Sequence, residues 1–190
     1  MTESTTAVPL INATRTAPAA GLGQERADLL EMLAAARHFL RFTTRGITEE
    51  QARQRTTVSE LTLGGLVKHV TSVERNWQDF AVNGAANAPD FSNLTEEDYA
   101  NWANAFRLLD GETLAGALAQ YEEVATATGE LVATLPDLDV THPLPPSPWN
   151  EPGKRWSARR ALMHVAAETA QHAGHADIIR EALDGQKTMG

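Results

Sequence analysis

Apolar residues recur three and four apart along four long stretches of the chain, the period of a helix buried on one face. The first, Gln24 to Arg45, carries Leu29, Leu33, Ala36 and Leu40. Gly46 stands where such a helix stops. Thr48 with Gln51 has the pattern of a capping box for a short helical turn. Thr62 opens the second stretch, whose stripe is Leu66, His69, Val70, Val73, Trp77 and Phe80, ending near Gly84. Ala85 to Asn93, rich in Asn, Pro and small residues, reads as loop, and Thr95 with Asp98 caps a short helix to about Phe106. Asp110 and Gly111 precede the third stretch, Glu112 to Leu135, on Leu114, Leu118, Tyr121, Val124, Leu131 and Leu135.

From Pro136 to Gly153 the prolines at 136, 143, 145, 146, 148 and 152 exclude a helix. Ser157 then caps a fourth long helix running to about Leu183, with Gly185 as its stop. No stretch alternates with the period of a strand. The reading is all-α: a four-helix bundle with short additional helices and a long proline-rich loop before the last helix. Residues 21–190 form its single domain, behind a flexible N-terminal segment over 1–20.

Composition narrows the function. The 190 residues suit one domain, and 42% hydrophobic content is that of a globular chain. No stretch approaches the ~20 apolar residues of a membrane helix. Met1 to Ala20 lacks the basic start and apolar middle of a secretory signal, so a cytoplasmic protein without a membrane partner is expected. A net charge of −9 argues against nucleic acid, which needs a basic face. There is no cysteine. Any metal must therefore be held by His and carboxylates, and any thiol must come from outside.

Polar residues interrupt the core stripes. In the last helix Val165, His172 and Ile179 lie seven apart on one face, and Glu168 and His175 follow three residues after the first two. In the second helix His69 sits between Leu66 and Val73. Buried without partners, such groups cost about 1 to 3 kcal/mol each. A lone histidine in this setting is ordinarily a satisfied core residue. The combination points instead to a divalent ion: Glu168 and His172 at i and i+4 converge, and His69 adds a nitrogen from a facing helix. Such an N/N/O set with open positions is that of catalytic zinc, and it also suits iron, nickel or manganese. His164, Glu168 and His172 cannot all bind one ion, since ~12 Å of helix rise separates the outer two. His164 with Glu168, and His172 with His175, remain alternative pairs. Otherwise His175 and His164 are expected beside the ion, holding a ligand or a substrate group. His38 reads as an ordinary helix residue and His142 as a loop residue.

Arg155-Trp156-Ser157, Leu162-Met163-His164, Glu168-Thr169 and His172-Ala173-Gly174-His175-Ala176-Asp177 running to Arg180-Glu181 resemble the last helix of the DinB-like superfamily. The nearer resemblance is to its mini-circle, or DinB_2, branch. Leu63-Gly64-Gly65-Leu66-Val67-Lys68-His69, then Val73-Glu74 and Trp77, resemble the second helix of that branch, and the likeness extends from about Gln24 onward. It implies a metal-binding four-helix bundle, commonly a homodimer. In the branch resembling the metal-binding domain of mycothiol-dependent maleylpyruvate isomerase the ligands are His, Glu and His, which fall here on His69, Glu168 and His172. Many relatives have His-Arg-Gly-Gln where this chain has His172-Ala173-Gly174-His175, so a substrate contact by His175 does not follow from the likeness.

The resemblance implies a metal-dependent enzyme, zinc first among the metals, that activates mycothiol or another low-molecular-weight thiol. The reaction would be S-transfer to, or isomerisation of, an electrophilic small molecule. A metal-dependent hydrolase, or a non-catalytic metal- or ligand-binding stress or resistance protein, are the alternatives. Trp149 and Trp156, with Arg155, Arg159 and Arg160 nearby, are expected to form a pocket wall over the ion, offering stacking surface and positive charge.

Overall fold

Hydroxyl side chains set where most of the helices begin. The computed structural model describes residues 21–88 and 91–189; the flexible segment expected over 1–20 lies outside the described residues. Helix α1 spans Gln24–Thr43. The turn α2, Glu49–Arg53, begins at Thr48 in a capping box closed by Gln51. Thr62 accepts from Gly65 N to start α3, Leu63–Asn83, and a 3₁₀ turn, Gly84–Asn87, follows. Thr95 and Asp98 cap each other at the head of α4, Glu96–Asn104. Ser157 caps α6, Ala158–Asp184, which ends at Gly185 in the left-handed region, φ 80°.

Helix α5, Leu114–Thr134, starts two residues later than the sequence suggests. Thr113, not the acidic residue before it, caps it by accepting from Gly116 N. Glu112 instead accepts from Leu109 N and pairs with Lys68 Nζ at 2.7 Å.

The protein is mostly helical. Helix α6 packs against α1 and α3, and α3 against α5. Their shared core includes Leu40, Leu66, Val70, Tyr121, Ala173 and Ile179, with Leu33, Leu162 and Val165 in a neighbouring cluster. Each large aliphatic side chain so buried contributes about 1.5 to 3 kcal/mol. The alanines on the inner face of α6 (Ala158, Ala161, Ala166, Ala173, Ala176) let its neighbours approach closely. Among the described residues no helix is long and apolar enough to cross a membrane.

The proline-rich segment contains what the hydrophobic pattern does not show. Strands β1, Thr141–Pro143, and β2, Arg155–Ser157, pair antiparallel with His142 opposite Trp156. Three residues are too few for an alternation to register. The ladder matters because it turns Trp156 onto Trp77 of α3, rings stacked at 4.9 Å.

One charged pair lies inside the core. The guanidinium of Arg37 on α1 binds the fully buried carboxylate of Glu74 on α3. Beside it the Tyr121 phenol is pushed up by burial and by Glu74, so it stays protonated. Removing one partner of a buried pair strands the other charge and costs about 3 kcal/mol or more, while apolar replacement of both is far milder. Glu74→Leu should therefore lower urea-denaturation stability by about 3 kcal/mol, and Arg37→Met with Glu74→Leu should recover most of it. Equal losses in the single and double variants would show that the two side chains do not depend on each other.

Candidate metal centre

The centre lies where α3 faces α6. His69 is on α3, one turn beyond Gly65 and on the same stripe as Val73 and Trp77; Glu168 and His172 are one turn apart on α6. One ligand atom from each of His69, Glu168 and His172 falls within 4.8 Å of the others. The rings of His69 and His172 meet edge to face with centroids 4.8 Å apart.

These donors fit a divalent ion. His172 Nε2 stands 3.6 Å from Glu168 Oε2, too far for a hydrogen bond. Two tetrahedral donors on one zinc ion lie about 3.4 Å apart, given bonds of 2.0–2.1 Å. That pair is thus already spaced as ligands are; the widest separation in the trio, up to 4.8 Å, must close by about 1.4 Å. Protonation states agree as well. Burial, then the neighbouring His172, lowers the His69 imidazole to about 4, and burial lowers His172 despite the opposing pull of Glu168. Both rings are neutral near pH 7, the form that donates to a metal.

The flanking residues are arranged around these three. His175 Nδ1 lies 3.4 Å from His172 Nδ1. With Nε2 turned to Glu168, a proton on His172 Nδ1 has His175 as its acceptor, the second contact that ordinarily orients a ligating imidazole. His164 Nε2 stands 3.6 Å from Oε1 of Glu168, the oxygen turned away from His172. His164 therefore neighbours the carboxylate while lying outside the trio. Its ring is edge-on to Trp77 at 4.9 Å and to Trp156 at 5.2 Å, and the Arg160 guanidinium covers Trp156 at 4.2 Å.

Trp149 and Arg155 sit differently. Trp149 is 67% exposed with its ring against Phe91, and Arg155 donates to the Thr141 carbonyl and hydroxyl. No hydrogen bond, ion pair or ring contact joins either to the trio. His38 packs against Phe39 and Phe42, and His142 against Phe80. A cleft of about 330 Å³ between α3, α4 and α5, lined by Lys68, Ser72, Arg75, Asn101, Asn104 and Gln120, does not include the centre. Two neighbours escape the sequence reading. Trp77 stands in the stripe as an ordinary apolar residue, and Phe106, stacked on His69 at 3.9 Å, lies at the end of a short helix with no periodic signal.

A family model described as Mycothiol-S-transferase matches residues 28–185. No curated protein matches the chain.

The lowered His69 value has a consequence with a definite sign. Between pH 6.5 and about 4 the unfolded chain binds a proton at this imidazole that the folded chain excludes. Stability of the metal-free protein therefore falls as pH is lowered through that window, and His164 and His172 act in the same direction. His69→Gln should flatten the decline in urea midpoint between pH 7 and pH 4.5. Parallel declines in the two proteins would mean that His69 is not desolvated.

Proposed function

The chain belongs to the mycothiol-S-transferase family, and from that premise we propose that it is an enzyme transferring mycothiol, or a similar low-molecular-weight thiol, to an electrophilic small molecule at a divalent ion held by His69, Glu168 and His172. The observation that carries this reading is the convergence of the three donors within 4.8 Å, in a chain with no cysteine of its own to compete. Two imidazole nitrogens and one carboxylate oxygen with open positions favour zinc. When bound, such an ion lowers the pKa of a thiol brought to it.

The protein's own groups supply the rest. His175 orients His172 through its second nitrogen, and His164 faces the free oxygen of Glu168. Trp77 and Trp156, half-buried and stacked, offer a flat apolar wall beside His164 that keeps water from that flank and accepts a ring or sugar face. In transfer to a halogenated carbon, the thiol sulfur bonds to that carbon, halide departs with its electron pair, and the thiol proton passes to water; in transfer to an activated alkene, the sulfur bonds to one alkene carbon, the C=C pair moves to the other, and that carbon takes up a proton. In isomerisation the same sulfur adds and is later expelled. The finer reading is of a single bundle of the DinB-like type over residues 21–190, a homodimer acting in the cytoplasm, supported by the family resemblance.

Zinc-supplemented protein incubated with mycothiol and a panel of halogenated or activated-alkene electrophiles should yield the thioether adduct in mass spectra. Chelation should abolish turnover, and His172→Ala should lower it by at least about a hundredfold. Metal-loaded protein that turns over none of the panel would leave a binding protein, not a transferase.

A further inference from the structure

The imidazole of His69 lacks the support that His172 has. A ligating histidine normally fixes its ring by donating its second N–H to a carboxylate, carbonyl or water. Among the described residues, His172 has His175 in that role, whereas His69 makes no hydrogen bond. Besides the edge of His172, the His69 ring meets Phe106, stacked at 3.9 Å with 21° between the planes, and Phe106 also approaches His172 at 6.4 Å.

Phe106 is held there by a built strap. The chain after α4 crosses α3 directly over Gly64 and Gly65. A Cβ at 65 would fall on the Phe106 carbonyl, and one at 64 on the Leu108 side chain. The two glycines form a notch in which backbone lies against helix. Three polar groups then fasten the strap: Lys68 donates to the Arg107 carbonyl at 3.3 Å, Arg53 to the Leu108 carbonyl at 2.6 Å, and Leu109 N–H to Glu112 at 2.7 Å. Leu108 is buried beneath it with Ala52 and Leu114. Gly65 lies four residues before His69, on the same face of α3, so the notch delivers the Phe106 ring to the imidazole one turn further on.

We propose that Phe106 is a positioning residue for the metal ligand His69: its ring, strapped over Gly64 and Gly65, sets the imidazole plane by stacking where other ligands use a hydrogen bond. The inference rests on the metal reading above and concerns how one ligand is held. Stacking fixes the plane of the ring and leaves both nitrogens free along its edge. It also covers one ring face with hydrocarbon, excluding water from that side of the centre.

The test uses the full chain and cobalt(II) as a spectroscopic metal, with zinc by competition. Phe106→Leu keeps the bulk and removes the stack, Phe106→Tyr keeps the stack, and Gly65→Ala fills the notch. In the metal-free wild type, the His69 ring protons should show an upfield ring-current shift that Phe106→Leu abolishes. Phe106→Leu should weaken cobalt and zinc affinity by about ten- to a hundredfold and alter the cobalt absorption bands, with Phe106→Tyr within about threefold of wild type. Phe106→Leu binding both metals as tightly as wild type with the same bands would overturn the proposal, and a lowered melting temperature alone would make Phe106 merely structural. Should Gly65→Ala fail to fold, the Phe106 variants decide alone. A wild type that takes up no cobalt would sink the metal reading and this inference together; normal uptake with an indifferent Phe106→Leu would sink only the inference.

Discussion

Imidazole and carboxylate groups turned into an interhelical seam lose the water that would otherwise satisfy them, and the seam between α3 and α6 is organised around that loss. Leu66, Val70, Ala173 and Ile179 on one side, with Leu162 and Val165 toward the other, hold the two helices together without help from the polar residues. His69, Glu168 and His172 are thereby held facing one another. Burial keeps the imidazoles of His69 and His172 unprotonated, and the partly exposed carboxylate of Glu168 has only imidazoles beside it among the described residues. A divalent ion answers both conditions at once. The apolar packing holds the seam together, and the polar interruption places the three donors.

The surroundings follow from the need to place those groups closely. On α6, one helical turn separates His164, Glu168 and His172 in succession, so each oxygen of the carboxylate has an imidazole 3.6 Å away. The β1–β2 ladder brings Trp156 across the chain to stack on Trp77, and the pair encloses His164. On the other flank the strap over Gly64 and Gly65 brings Phe106 to His69. Aromatic rings thus border the centre on two sides: Trp156 arrives on the β1–β2 ladder to meet Trp77 of α3, and Phe106 arrives on a strap held by the Lys68, Arg53 and Glu112 side chains. This is the arrangement expected of a site whose scaffold is rigid and whose loops define its walls.

How much of this is legible in the sequence depends on the range of the interaction. The caps at Thr48, Thr62, Thr95 and Ser157 are local, a few residues in extent, and stand in the chain as patterns. The candidate ligands are legible for a related reason: a polar residue at a core position of a helical stripe is an anomaly that periodicity itself exposes. The cap at Thr113 is equally local but is passed over when the helix is begun at Glu112, whose carboxylate instead pairs with Lys68, 44 residues away. Phe106 is missed because its meaning comes from Gly65, and the ring of Trp149 lies against Phe91. The glycine pair was the available signal: two adjacent glycines facing the core of a long helix mark a place where backbone approaches backbone. The pair Arg37–Glu74 gives no local sign, since either residue alone reads as solvated helix surface.

Elemental analysis of wild-type protein and of single alanine variants at His69, Glu168 and His172, each reconstituted with zinc and desalted, decides whether these three side chains hold an ion. About one ion per chain is expected for wild type and for His38→Ala, and far less than one for each of the three, with circular dichroism showing all of them folded. Full zinc occupancy in any of the three variants would contradict the assigned ligand set, and a folded wild type that retains no zinc would contradict the centre itself.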